Sequence, residues 1–209
     1  MGKDIVHFKC HHCNHCCTEV VCLPTPWDVI RIVKHTGANP YEFLEFLSPD
    51  EISEVAKNDP TWLECEDGRY IMALRRDESG CHFLDKKTRY CGIYEARPIL
   101  CRLYPFKLQE TRDGKFRGFV LHKDVGCPRH QDGQVATQPL YDLYLEDSKH
   151  QEDYDDLVRV FNRKKYTGKK PEDFIELFVK VAKPSVSARK LEQLPAQAGQ
   201  WESASVQEG

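Results

Sequence analysis

The sequence predicts an α+β fold: a cysteine-rich loop and short helices packed on a small antiparallel sheet, with a C-terminal helical extension. Three observations carry that expectation. Helix-start signals of the capping type recur between Thr25 and Glu51. From Trp62 to His122 the texture changes to short aromatic and β-branched runs separated by Gly-, Asp- and Lys-rich turns. From Gln138 the apolar residues return to helical spacing. The chain accordingly divides into a cysteine-rich domain over residues 1–132, a helical extension over 133–184 and a tail over 185–209, whose small polar residues predict disorder.

The elements follow in order. The first is a loop, "FKCHHCNHCCTEVVC", which holds Cys10, Cys13, Cys16, Cys17 and Cys22 with three histidines between them. In "TPWDVIRIVKHTG", Thr25 can cap a helix with Pro26 at its first position and Asp28 reaching back, and Gly37 ends it. Asn39, Pro40 and Glu42 repeat that grammar for a second helix with Phe43, Phe46 and Leu47 as its buried stripe. Ser48 to Glu51 would start a third, stopped before Pro60.

Hairpins come next. "TWLECEDGRYIMALRR" turns at Asp67-Gly68, "GCHFLDKKTRYCGIY" turns between Asp85 and Arg89, and "RLYPFKLQETRDGKFRGFVLH" turns at Asp113-Gly114. In "HQEDYDDLVRVFNRKKYTG" the residues Tyr154, Leu157, Val158 and Phe161 share one helical face, and Gly168 ends the helix. Acids lead and bases trail along it, which suits the helix dipole. Pro171 to Lys183 reads as a last amphipathic helix.

Composition excludes several classes. A chain of 209 residues can bury a sizeable core without covalent staples. The start, MGKDIVHFK, lacks the apolar core of a secretory leader, and Val6 stands where myristoylation wants Ser or Thr. No apolar run is long enough to span a bilayer, so no membrane partner is expected. A cytoplasmic location follows, and thiols there stay reduced, so disulfides are not expected. A net charge of −3 with a pI near 6.3 gives no global field for nucleic acid.

The chemistry lies in the cysteines. Cys10, Cys13, Cys16 and Cys17 form C-x2-C-x2-C-C. A two-residue spacer lets both thiolates of a CxxC face one ion, but this loop has more donors than one tetrahedral metal can use. Further donors stand at Cys81, Cys91 and Cys101, evenly spaced, and at Cys127 before Pro128. Those eight thiols suffice for one four-thiolate centre with spares, or for two centres. Between Cys81 and Lys107 six bases face two acids, in an otherwise slightly acidic chain. Cations there would lower thiol pKa values and offset the negative charge of a thiolate site. Arg97 and Arg102 flank Cys101 among apolar residues and are the candidates for that role; Tyr104 joins them as a ring beside the site.

Zinc ribbons bring a CxxC knuckle on each side, and the second half of this chain has none. The bacterial ferredoxin run is absent too. Widely spaced thiolates suit the larger shell of an iron–sulfur cluster, so the spacing favours a cluster over zinc.

Together "FKCHHCNHCC" and "GCHFLDKKTRYCGIYEARPILCRLYPF" resemble the YkgJ-type cysteine-cluster proteins, which carry the CxxCxxCC zinc- or iron-chelating domain. The second stretch is the more specific, since Cys81, Phe83, Leu84, Cys91, Ile93, Tyr94, Arg97, Pro98, Cys101, Arg102, Tyr104, Pro105 and Phe106 all fit it. Trp27-Asp28 to Gly37 and "PYEFL" fit as well, so the resemblance covers about residues 8–130. It implies metal ligation by Cys10, Cys13, Cys16, Cys17, Cys81, Cys91 and Cys101, with Cys127 a looser match. It also implies an iron–sulfur cluster, of [4Fe–4S] type, or zinc. One similar protein, the flagellin lysine N-methylase, pairs such a cluster with protein methylation. His15 departs from the pattern, because the family often places Gly there and a tight turn could need its freedom.

Blander readings stand beside these. His11, His12 and His15 can ligate metal, but with thiols in supply they read as polar loop residues or as partners of the ligands. Cys22 and Cys65 lie outside the pattern and read as small apolar residues. Three functions remain: a cytoplasmic metal-centre protein in redox, sensing or metal handling; a lysine N-methylase-like enzyme with a structural cluster, though no S-adenosylmethionine site is recognisable; and a zinc-stapled interaction module for RNA or protein, with basic residues beside Tyr90, Tyr94 and Phe106 as its platform.

Overall fold

The capping grammar at Thr25 forms as the sequence predicts, within a computed structural model that describes residues 4–123, 126–163 and 169–181. In chain order, strand β1 is Ile5–Val6 and helix α1 is the single turn His15–Thr18. Helix α2, Pro26–Thr36, starts with a complete capping box: the Asp28 N–H donates to the Thr25 hydroxyl at 3.3 Å, and the Thr25 N–H to the Asp28 carboxylate at 2.9 Å. Gly37 ends it in the left-handed region at φ 71°.

The second predicted helix is cut short. Helix α3 covers only Pro40–Phe43, and Leu44–Leu47 is strand β2. Phe46 and Leu47 therefore lie in a sheet, because residues 44–47 pair with 71–74 and the pairing satisfies their backbone. The third predicted helix does not form. The Ser48 N–H and hydroxyl both donate to the Glu51 carboxylate, at 2.8 and 2.7 Å, but only a turn follows. Ile52 is drawn instead into a small core with Trp62 and Ile71.

Strands β3, Leu63–Glu64, and β4, Arg69–Leu74, form the first hairpin at Asp67-Gly68, giving the antiparallel order β2-β4-β3. The middle hairpin differs from expectation. Strand β5, Arg76–Asp77, pairs with β6, Gly80–Cys81, so Cys81 lies opposite Arg76. The predicted ladder after it shrinks to one bridge, Leu84 to Cys91, around a turn whose Thr88 and Lys87 N–H groups donate to Asp85. A 3-10 turn at Tyr94–Ala96 leads to helix α4, Ile99–Leu103. Strands β7, Phe106–Glu110, and β8, Phe116–Leu121, are the third hairpin. Strand β9, Val135–Ala136, pairs with β1. Helix α5 runs over Thr137–Arg163 and α6 over Asp173–Val181.

The fold is α+β, as the sequence predicts, but its strands form separate small antiparallel sheets and not a single one. Two larger cores result. The first joins Ile32, Phe43, Leu63 and Met72 to Tyr154, Leu157, Val158 and Phe161 of α5 and to Phe174 and Phe178 of α6. All four residues of the predicted α5 face are thus buried. The second joins Val6, Ile99, Leu103, Phe119 and Leu140. Ile99 and Leu103 share one face of α4, so Cys101, on the opposite face, packs against the first core. The end assigned to Gly168 and the tail assigned to 185–209 lie outside the described residues. No helix among those described is long and apolar enough to cross a membrane.

Candidate metal centre

Backbone pairing brings the thiols together from distant parts of the chain. The Phe8 and Lys9 N–H groups donate to the Gly133 and His130 carbonyls at 3.1 and 2.9 Å, which lays Cys10 beside the segment that holds Cys127. The next residues reverse direction through two left-handed positions, His12 at φ 53° and Asn14 at φ 65°. Asn tolerates that region better than most residues. The freedom that the sequence seemed to require at position 15 is thus taken at 12 and 14, and His15 begins α1. That turn carries Cys16 and Cys17. Its end is held by Arg76, whose guanidinium donates to the Thr18 and Val20 carbonyls. Gly80, at φ 121°, lets β6 approach α1: a side chain there would lie 2.7 Å from the Cys17 carbonyl oxygen.

Cys101 is fixed by a buried carboxylate. Asp28, wholly buried, accepts from the Ile99 N–H at 3.1 Å, which caps the start of α4. It also binds Arg31, whose guanidinium donates to the Arg97 carbonyl at 2.7 Å. The Leu74 N–H donates to the Cys22 carbonyl at 2.9 Å and so anchors Cys22 at the sheet edge.

The result is one cavity of about 420 Å³ lined by Cys10, Cys13, Cys16, Cys17, Cys22, Cys81, Cys91, Cys101 and Cys127. All eight thiols that the sequence singled out line it, with Cys22 in addition. Cys65 stays apart, with burial pushing its thiol up to about 11. Apolar groups complete the wall, among them Phe8, Leu74, Phe83, Ile93 and Leu140. Arg97, Arg102 and Tyr104 also line the cavity. Arg102 is otherwise exposed, and the Arg97 guanidinium lies over the Tyr94 ring at 3.8 Å.

Two close thiol pairs stand out. The sulfurs of Cys16 and Cys17 are 3.8 Å apart, and those of Cys101 and Cys22 are 3.4 Å apart. Hydrogen-bonding contact with the Cys17 thiol, together with nearby Arg97, lowers Cys16 and Cys91 each to about 7, against the opposing effect of burial. Cys17 itself is held protonated. Burial pushes Cys81 up to about 11. Cys22 is raised by its bond with Cys101 and by burial. Thiolate character therefore concentrates at Cys16 and Cys91, next to the cation.

The donor set fits a soft metal: nine thiols, all free, in a largely apolar recess with arginine at hand. Among the described residues no three His, Cys, Asp or Glu side chains close around a single ion position. The histidines take other partners: His11 binds Asp132 at 2.9 Å, His12 packs edge-on to Tyr90, and His15 accepts from the Gly126 N–H at 3.2 Å.

Sequence reasoning missed Cys22, Asp28 and Arg31 as parts of this site. Only the capping role of Asp28 was signalled, by its place three residues after Thr25.

Comparison with known proteins agrees with the donor set. The CxxCxxCC family model, described as "Putative zinc- or iron-chelating domain", matches residues 9–128. An uncharacterized protein of Methanocaldococcus jannaschii is 39% identical over 85 residues. That match covers 41% of this chain and 40% of the relative, so the chain spans under half the length of the curated protein it matches. No solved structure matches.

Proposed function

Because the chain belongs to the CxxCxxCC family of zinc- or iron-chelating domains, we propose that it is a metal-centre protein that binds an iron–sulfur cluster, of [4Fe–4S] type, through two cysteine groups. The observation that carries this reading is the single recess of about 420 Å³ walled by nine thiols from separate stretches of chain. One tetrahedral ion takes four thiolates at ~2.3 Å and needs no such room. A cluster spreads its thiolates over a wider shell and is tuned by burial and nearby charge. Cys16, Cys17, Cys81, Cys91 and Cys101 supply half-buried thiols, and Cys10, Cys13 and Cys127 line the same recess. Arg97 and Arg102 offset the negative charge, and Tyr104 screens the site from water. The role is redox, sensing or metal handling in the reducing cytoplasm, with a protein as partner.

A zinc-stapled module is the second reading. It is favoured by the Cys16–Cys17 separation of 3.8 Å, the spacing of two thiolates on one tetrahedral zinc. Anaerobic purification without added zinc tests both. The expected protein is brown, absorbs near ~400 nm and holds matched iron and acid-labile sulfide. A colourless protein with zinc and no sulfide overturns the cluster and leaves the module.

A further inference from the structure

We propose that the thiols form two metal centres and not one: an inner centre drawn from Cys16, Cys17, Cys81, Cys91 and Cys101, and an outer one held by Cys10, Cys13 and Cys127. This rests on the metal-binding part of the reading above, and adds to it a second site that takes a single thiophilic divalent cation.

The backbone divides the cysteine loop at Asn14. Residues before it are sewn to the chain around Cys127. The Phe8 and Lys9 N–H groups bond the Gly133 and His130 carbonyls, and the His11 ring binds Asp132 and packs on His130 with ring centres 4.3 Å apart. Residues after it meet the middle hairpin through backbone and thiols, while two rings cross the divide: His15 accepts from the Gly126 N–H, and His12 packs on Tyr90 and Tyr94. The Cys17 carbonyl abuts Gly80, Arg76 opposite Cys81 holds the end of α1, and the Cys16 and Cys17 sulfurs stand 3.8 Å apart. Cys101 is paired with Cys22 at 3.4 Å on that same side.

The thiol contacts fall along the same line: Cys127 is hydrogen-bonded to Cys13, whereas Cys17 is hydrogen-bonded to Cys16 and Cys91. Tyr104, stacked on His15 with ring centres 6.3 Å apart, lines the cavity with both groups.

The two groups also differ in access. Cys10 and Cys13 are exposed, while none of the inner thiols is. An outer metal would therefore meet solvent on one side and keep an open position, since three thiolates leave a tetrahedral ion one ligand short. Binding would draw the exposed Cys10–Cys13 stretch onto Cys127. Such a centre exchanges its ion with solution more readily than the inner one, whose thiols are all half-buried.

The test uses the full chain, purified anaerobically, with sulfide and iron measured and zinc(II) titrated against a chromophoric chelator. Cys13→Ser with Cys127→Ser is expected to lose one tight zinc equivalent and to keep the sulfide and visible absorption. Cys17→Ser with Cys91→Ser is expected to lose sulfide and colour and to keep that zinc equivalent. Loss of sulfide in the first variant, or full zinc binding by it, overturns the proposal. Because Cys127 is buried, the exposed Cys10→Ser and Cys13→Ser are measured singly with far-ultraviolet circular dichroism. Weakened zinc binding with an unchanged spectrum supports the outer site, and undiminished binding in both overturns it. If the wild type holds no sulfide, the cluster reading fails on its own. Two zinc equivalents, removed one at a time by the two double variants, would still establish two centres.

Discussion

Asp147 on α5 is buried, and one of its carboxylate oxygens finds no hydrogen-bond partner among the described residues. Burial, then the charges of Asp28 and Glu146, push it up to about 6. A carboxyl raised in the folded state binds more protons folded than unfolded, so stability falls as pH rises from about 4 to about 6. Asp147→Asn is therefore expected to stabilise the protein at pH 7 by about 2 kcal/mol and to have no such effect below pH 4. Urea unfolding at both pH values checks this, and equal effects at both would refute it. At this scale the sequence was informative about the thiols and silent about what orients them. Eight of the thiols at the cavity were readable because short, regular spacings are local. Cys22 was not, because its place beside Cys101 depends on the Leu74 backbone bond, which only the folded sheet supplies. The second duty of Asp28, at Ile99, is hidden for the same reason.

Among the elements, the seam between α1 and β6 is the most demanding. Gly80 sits at φ 121° with the Cys17 carbonyl close by. A methyl there meets backbone on one side and a disfavoured dihedral on the other, a loss of about 1–3 kcal/mol. Gly80→Ala is thus expected to lower the unfolding midpoint and the iron content together, although every cysteine remains. A variant with normal iron would show that the seam does not set the site. The element boundaries that sequence reasoning placed well, at α2 and at the first and third hairpins, are those fixed by local caps and turns. Those it misplaced, at residues 44–51 and 80–94, are fixed by partners elsewhere. Residues 44–47 carry a helix-start signal just before them, yet the open edge of β4 outweighs it.

For the molecule as a whole, the core and the thiol site depend on each other. Phe161, Phe174 and Phe178 of α5 and α6 complete the core that contains Ile32, Phe43 and Met72, and Cys81, Cys91 and Cys101 pack at its edge. A chain ending at residue 132 would leave that apolar surface uncovered. Such a fragment is expected to show no cooperative thermal transition, with or without zinc(II). A cooperative transition in the fragment would establish that the cysteine-rich part folds alone.

The pairing of Ile5 with Ala136 and of Val6 with Val135 has a consequence in time. Cys10 and Cys13 leave the ribosome well before the strand that seats their segment, which is made only after Cys127. In that interval the two thiols wait, accessible, for a partner. Metal loading of that corner therefore follows the synthesis of Ala136, and a ribosome stalled before it would display a nascent protein whose Cys10 and Cys13 are open to any oxidant or stray ion in reach.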